Sequence, residues 1–194
     1  MSTHTLTPDD VLDIQQARWR IDPARSTVGF EVPHLFGLAT VRGEFERYAG
    51  TLDLSATPAI ELTIDAASVQ TGQKQRDKHL RSSDFFDVEN HPQVRFFSDT
   101  VVLDGSTMDV RGELQAAGAS IPLVMEATLR REGDELDLGA SAQADHRQLG
   151  MTWSPLPGMV RTPSKLTVRA RLVRAGDAAR RTLPANQSAT LGTA

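Results

Sequence analysis

Apolar and polar residues alternate along most of the interior of this 194-residue chain. Val28, Phe30 and Val32 alternate with Gly29 and Glu31, and Ile60, Leu62 and Ile64 with Glu61, Thr63 and Asp65. Met108, Val110, Gly112 and Leu114 repeat the pattern, as do Ile121, Leu123, Met125, Ala127 and Leu129. Leu136, Leu138, Ala140 and Ala142 follow, and then Leu166, Val168, Ala170 and Leu172. A period of two is the strand period. One dry face and one wet face is the mark of an antiparallel sheet, since strands buried on both faces read as continuous apolar runs. Short turn sequences (Asp104-Gly105-Ser106, Ala117-Gly118, Glu132-Gly133-Asp134) separate the later strands and make sequential strands neighbours. Eight or nine such strands suit an up-and-down barrel.

Three stretches lie outside the pattern. Residues 1–17 form a polar N-terminal extension in which Thr7 caps and Pro8 starts a short helix through Ile14. Residues 73–83 lack alternation and read as a helical excursion. Pro92 then excludes helix and restarts a strand at Gln93. Residues 175–194, rich in Ala, Thr, Gly and Asn, read as a disordered tail. The barrel is expected over 18–174.

An eight-stranded barrel is just wide enough to be filled by its own side chains or to hold one small ligand. The inward sets here are Val, Ile, Leu, Phe, Met and Ala. An alkyl chain gains about 0.8 kcal/mol per buried CH₂ in such surroundings, whereas a polar group entering without a partner pays a few kcal/mol. Periodicity does not separate a bore from a filled core, so both readings stand at this point.

Several chemistries find no support. The chain carries a net charge of -4 and no basic stripe, which disfavours nucleic acid as a partner. With no cysteine, it has neither disulfides nor thiolate nucleophiles. Its apolar runs are far shorter than the roughly 18–20 residues of a spanning helix, so no integral membrane segment is expected. No Gly-x-Ser-x-Gly or phosphate-binding glycine loop occurs. Of His4, His34, His79, His91 and His146, no two have metal-ligand spacing, and Asp65, Glu113 and Glu126 fall on outer faces. No catalytic residue, metal or cofactor is assigned. The N-terminal residues lack the pattern of a secretory signal, so a cytoplasmic location is expected.

A set of short motifs carries a resemblance. Trp19-Arg20-Ile21-Asp22 precedes Ser26 to Val32 and His34, and Val41-Arg42-Gly43-Glu44-Phe45 leads to Gly50-Thr51-Leu52. Ala66 to Thr71 follows, and then Arg76-Asp77-Lys78-His79-Leu80-Arg81-Ser82-Ser83-Asp84-Phe85-Phe86-Asp87, His91-Pro92 and Phe96-Phe97-Ser98. Over residues 19–174 the chain resembles the YceI-like family of polyisoprenoid-binding proteins. The resemblance implies a lipocalin-like antiparallel barrel with a long pore. It also implies an isoprenoid quinone, polyisoprenoid or related lipid bound tail-first, and a homodimer. At Asp145–Met151 the chain departs from the family pattern: Leu149 stands where an aromatic is common, and His146 or Arg147 where an arginine is.

The pore or rim candidates are therefore Phe30, Val32, His34, Phe36, Phe45, Leu62, Phe85, Phe86, Phe96, Leu123, Met125 and Met151, with Arg76, His79 and His146 as polar contacts. Arg76 and His79, three residues apart, share one face of a helical turn. They either contact a ligand's oxygen or pin the helix to the barrel. Trp153 and Met159, in an irregular apolar stretch, form either a portal or a loop folded onto the barrel. Binding, storage or transport of an apolar amphiphile leads the functional readings. A dimeric stress-response or interaction module with a filled barrel is the second, and an isomerase or cyclase on an apolar substrate the third. Tyr48, the one tyrosine, is a candidate only for that last reading.

Overall fold

The computed structural model describes residues 6–55, 57–152, 160 and 163–176. Alternation in the sequence becomes alternation in burial: in the strand Thr107–Ala116, Met108, Val110, Gly112 and Leu114 are buried, while Thr107, Asp109, Arg111 and Glu113 are exposed. The strands are β1 (Arg18–Ile21), β2 (Thr27–His34), β3 (Ala39–Phe45), β4 (Tyr48–Asp53), β5 (Ala59–Asp65), β6 (Val69–Gln70), β7 (Gln93–Asp104), β8 (Thr107–Ala116), β9 (Ala119–Glu132), β10 (Glu135–Ala144) and β11 (Ser164–Arg174). Two helices accompany them, α1 (Pro8–Gln15) and α2 (Lys74–Arg81).

These pieces make a closed eight-stranded antiparallel barrel. The first three strands are each broken once. β1 and β2 are one course interrupted at the turn Pro23–Arg25, where Asp22 caps the Ala24 amide. β1 pairs with β4 while β2 pairs with β3, so β3 and β4 are the second course. β5 pairs with β4 and β6 with β3, which makes them the third. β7 pairs with β5, each strand from β8 to β11 pairs with its predecessor, and β11 closes the ring on both β1 and β2. Every shared edge is antiparallel, as expected of short connections. The β8–β9 turn has both central residues in the left-handed region, Ala117 at φ 50° and Gly118 at φ 77°. Two positive φ values match the right-handed twist of the flanking strands, and this is why a glycine sits there.

The two ends of the barrel differ. At one end stand the β9–β10 turn and the Trp19–Arg174 pair of β1 and β11. α1 covers this end. Thr7 and Asp10 form a reciprocal capping box with Pro8 in the first turn. Asp13 accepts hydrogen bonds from Arg131 and Arg174, which tether the helix to β9 and β11. The segment 1–17, expected as a polar extension, thus carries a buried face, with Ile14 at 0% exposure and Leu6 also in the core. The sequence shows few apolar residues there, and the barrel end supplies the rest of the contact.

At the other end, Ala144 of β10 lies opposite Ser164 of β11, and Lys165 opposite Glu31 of β2. The β8–β9 turn and α2 with its following turn also belong to this end. α2 spans most of the 73–83 excursion. It fills a gap left because β6 is only two residues long, and Phe86 packs edge-on against Phe45 of β3. The 175–194 tail lies outside the described residues beyond Gly176.

Candidate functional site

Side-chain burial inside the barrel is graded along its axis. At the α1 end Trp19, Leu52, Met108, Leu129, Leu136 and Leu172 are all at 2% exposure or less. Further along the same inward rows, Leu138 and Ala140 on β10, Leu166 and Val168 on β11 and Met125 on β9 are only half-buried. Their open surface faces an internal cavity of about 200 Å³ that all five line. The cavity is almost wholly apolar. It runs on to Val32, Met151 and Val160, at the end carrying α2. The bore is therefore blind at the α1 end and reaches toward the other.

Small residues create this space. Ala127, Ala140 and Ala170 line the bore on three successive strands, and Ala127 lies directly opposite Ala140 across β9 and β10. Protein interiors otherwise pack to crystal density. An apolar void is unfavourable unless something fills it, because its lining loses dispersion contacts.

Among the residues expected from sequence, Phe30, Val32, Phe45 and Leu62 line the cavity from β2, β3 and β5, and Phe96, Leu123 and Met125 from β7 and β9. Phe85 and Phe86 line it from the turn after α2, and His146 and Met151 from the β10–β11 connection. Phe30 also lies across Gly43 of β3, where an added methyl would stand 2.4 Å from the ring. Glycine at 43 is what lets that ring lie flat on the wall.

Other candidates lie elsewhere. His34 sits at the end of β2 and is bridged to Val160, outside the cavity lining. Arg76 spends its guanidinium on Thr71, through both the hydroxyl and the carbonyl. His79 Nε2 lies 3.0 Å from Asp84, and its ring meets Phe85 edge-on. The Phe36 side chain, Trp153 and Met159 fall outside the described residues. Tyr48 donates its hydroxyl to the Ser26 carbonyl, and burial pushes its pKa up.

Polar contacts pin α2 to the barrel. Asp77, buried at 8% exposure, accepts from both the amide and the hydroxyl of Thr71. Arg81 donates to the carbonyls of Ala67 and Val69, capping the short β6 segment. Asp77→Ala leaves the Thr71 amide and hydroxyl without their acceptor, at a cost of about 1–3 kcal/mol. The expected result in urea unfolding is a lower midpoint with the slope unchanged. Asp77→Asn, which keeps one acceptor oxygen, is expected to fall between.

One polar pair touches the bore. His146 Nδ1 lies 2.9 Å from Ser164 Oγ, and both residues line the cavity at the end away from α1. Ser164 is buried. Burial holds the His146 imidazole below the usual histidine range, against the opposing pull of Asp145. Asp145 in turn caps the following turn and is paired with Arg147 at 2.8 Å. Among the described residues no group of three His, Asp or Glu stands close enough to hold a metal ion. Among them, too, no helix is long and apolar enough to cross a membrane.

The lining residues missed by sequence reasoning include Leu138, Ala140, Leu166, Val168 and the alanines in the middle of the bore, and Leu52, Met108 and Leu172 at its floor. Those in the middle stand in the alternating rows, but their size, not their polarity, marks them. Comparison with known proteins agrees with the barrel. The chain is 37% identical over 112 residues to protein YceI of Escherichia coli O17:K52:H18, covering 56% of this chain and 58% of that protein. It is 34% identical over 125 residues to protein YceI of Salmonella arizonae, covering 61% and 65%. The match thus spans less than two thirds of these relatives. BcnA of Burkholderia cenocepacia superposes with a TM-score of 0.72 at 18% identity, over 79% of this chain and 99% of that one. A polyisoprenoid binding domain from Saccharophagus degradans superposes at 0.66 and 13% identity, over 80% and 98%. At these identities the likeness shows the fold alone. The model of the YceI-like domain matches residues 19–172, and the chain belongs to that family.

Proposed function

We propose that this protein binds the apolar tail of an amphiphile inside its barrel, as a carrier or store, without chemical turnover. The observation that carries this reading is a blind apolar bore. The void exceeds the roughly 150 Å³ of a dry cavity known to take benzene, and it falls below the roughly 300 Å³ at the lower end of drug-sized pockets. That range has room for part of a single chain, isoprenoid or fatty-acyl. Each methylene passing from water into the bore contributes about 0.8 kcal/mol. Family membership and the Saccharophagus neighbour, named for polyisoprenoid binding, support a lipid ligand in kind.

The lining is poor in titratable groups. Of the described residues that line the cavity, Glu61 and His146 are the titratable ones, and Glu61 is exposed. An acid–base reaction on a buried chain needs a group within hydrogen-bond reach of the reacting atom, and among the described residues none stands in the middle of the bore.

Native mass spectrometry on protein purified without detergent tests the reading. A discrete added mass that extracts into organic solvent as an isoprenoid or fatty lipid is expected. A clean mass together with no uptake of a hydrophobic fluorescent probe overturns the proposal in favour of an interaction module.

A further inference from the structure

The blind end fixes the direction of an occupant. Trp19 and the leucines around it close the barrel below α1, so a chain enters tail first and its head stays at the far end. That end holds His146 and Ser164. We infer that the His146–Ser164 pair is a head-group site for a neutral oxygen, a hydroxyl or a carbonyl, on the amphiphile whose tail fills the bore. The inference rests on the carrier reading above and adds to it the class and orientation of the head.

Three observations support it. The first is hydrogen-bond capacity. A neutral imidazole has one donor and one acceptor nitrogen. Nδ1 is engaged with Ser164, while Nε2 has no hydrogen-bond partner among the described residues. Whichever tautomer Ser164 selects, Nε2 offers either a donor or an acceptor. A ligand hydroxyl satisfies both cases, and a carbonyl one of them.

The second is charge. No Lys or Arg stands among the described residues lining the cavity. Phosphate and carboxylate heads are held by charge-assisted bonds, chiefly from arginine and lysine, so the lining is matched to an uncharged head. The third is position. Ser164 opens β11 opposite Ala144, the last residue of β10, and His146 follows two residues later. The pair thus sits where the apolar rows of β10 and β11 run out, at the end of the bore away from α1.

Displacement of a fluorescent fatty probe by farnesene, farnesol and farnesyl diphosphate tests the site. These three share a tail and differ in the head. Wild-type protein is expected to prefer farnesol over both others. His146→Phe, which keeps a ring of similar bulk, is expected to weaken farnesol about fivefold, the value of one neutral hydrogen bond, with farnesene unchanged. His146→Gln, which restores a donor and an acceptor, is expected to recover part of the preference. Ser164→Ala is expected to shift farnesol in the same direction as His146→Phe.

Equal weakening of farnesene and farnesol would show that His146 only shapes the wall, and would overturn the inference. So would a wild type that binds farnesene as well as farnesol, or farnesyl diphosphate more tightly than either. Each of these leaves the carrier reading intact. A wild type that binds none of the three overturns that reading itself.

Discussion

Trp19→Ala is expected to lower the stability of the protein by about 3–5 kcal/mol, the usual range for removing a buried large aromatic. Trp19 is at 0% exposure and stands where three elements meet. Its indole N–H donates to the Ile14 carbonyl at 3.2 Å. Arg174 lies 5.0 Å from its ring on one side, and the strand β1 that carries it pairs with both β4 and β11. Truncation therefore leaves a cavity, removes the side-chain hydrogen bond to the Ile14 carbonyl, which keeps its backbone donors at the end of α1, and removes the cation's aromatic partner together. For a domain of this size each kcal/mol lowers the melting temperature by about 2–4 °C, so a fall of roughly 6–20 °C is expected by circular dichroism. Trp19→Phe keeps most of the packing and loses the N–H, and is expected to cost less. A fall of only a degree or two for Trp19→Ala would show that the α1 end is not the packed floor described above.

That floor bears on function, because a bore open at both ends would impose no direction on its occupant. It was also the part least legible in the sequence. The strands from Met108 to Ala142 could be read from alternation, since each inward row is apolar and each turn carries a glycine at a position that needs one. The helical excursion could be read as well, from missing alternation and from Pro92. The packing of α1 could not. Leu6 and Ile14 are too few for an amphipathic signal, and their burial depends on the barrel end they meet. The breaks within the first strands were equally hidden, since Pro23 marks a turn but does not say that the chain resumes in the same course.

Openness was hidden for a different reason. Alternation records whether a side chain is apolar, not how much space it leaves. Ala127, Ala140 and Ala170 satisfy the pattern as well as leucines would, and become a void only when the register brings them together. The same holds for His146 and Ser164. Eighteen residues separate them, and only the Ala144–Ser164 pairing of β10 and β11 brings the imidazole to the hydroxyl.

Filling that void is expected to abolish most of the affinity for a chain while sparing the fold. Ala140→Phe places a ring in the middle of the bore, between Val168 on one side and Ala127 on the other. The site is a cavity rather than a packed contact, so the added ring relieves lost dispersion contacts instead of forcing neighbours apart, and the melting temperature is expected to hold or rise. A ring that excludes about three methylenes of a bound tail removes about 2.4 kcal/mol, a loss of roughly fiftyfold in affinity for farnesol. Ser141→Phe is the matching control, because Ser141 is the next residue on β10 and points outward. It adds the same ring to the outer face and is expected to leave binding unchanged. If Ala140→Phe folds and binds farnesol as tightly as the wild type, the tail does not occupy the bore. If both variants weaken binding alike, the ligand sits on the outside of the sheet. Only loss confined to the inward residue is consistent with a chain held along the axis, its head at His146 and its end against the leucines below Trp19.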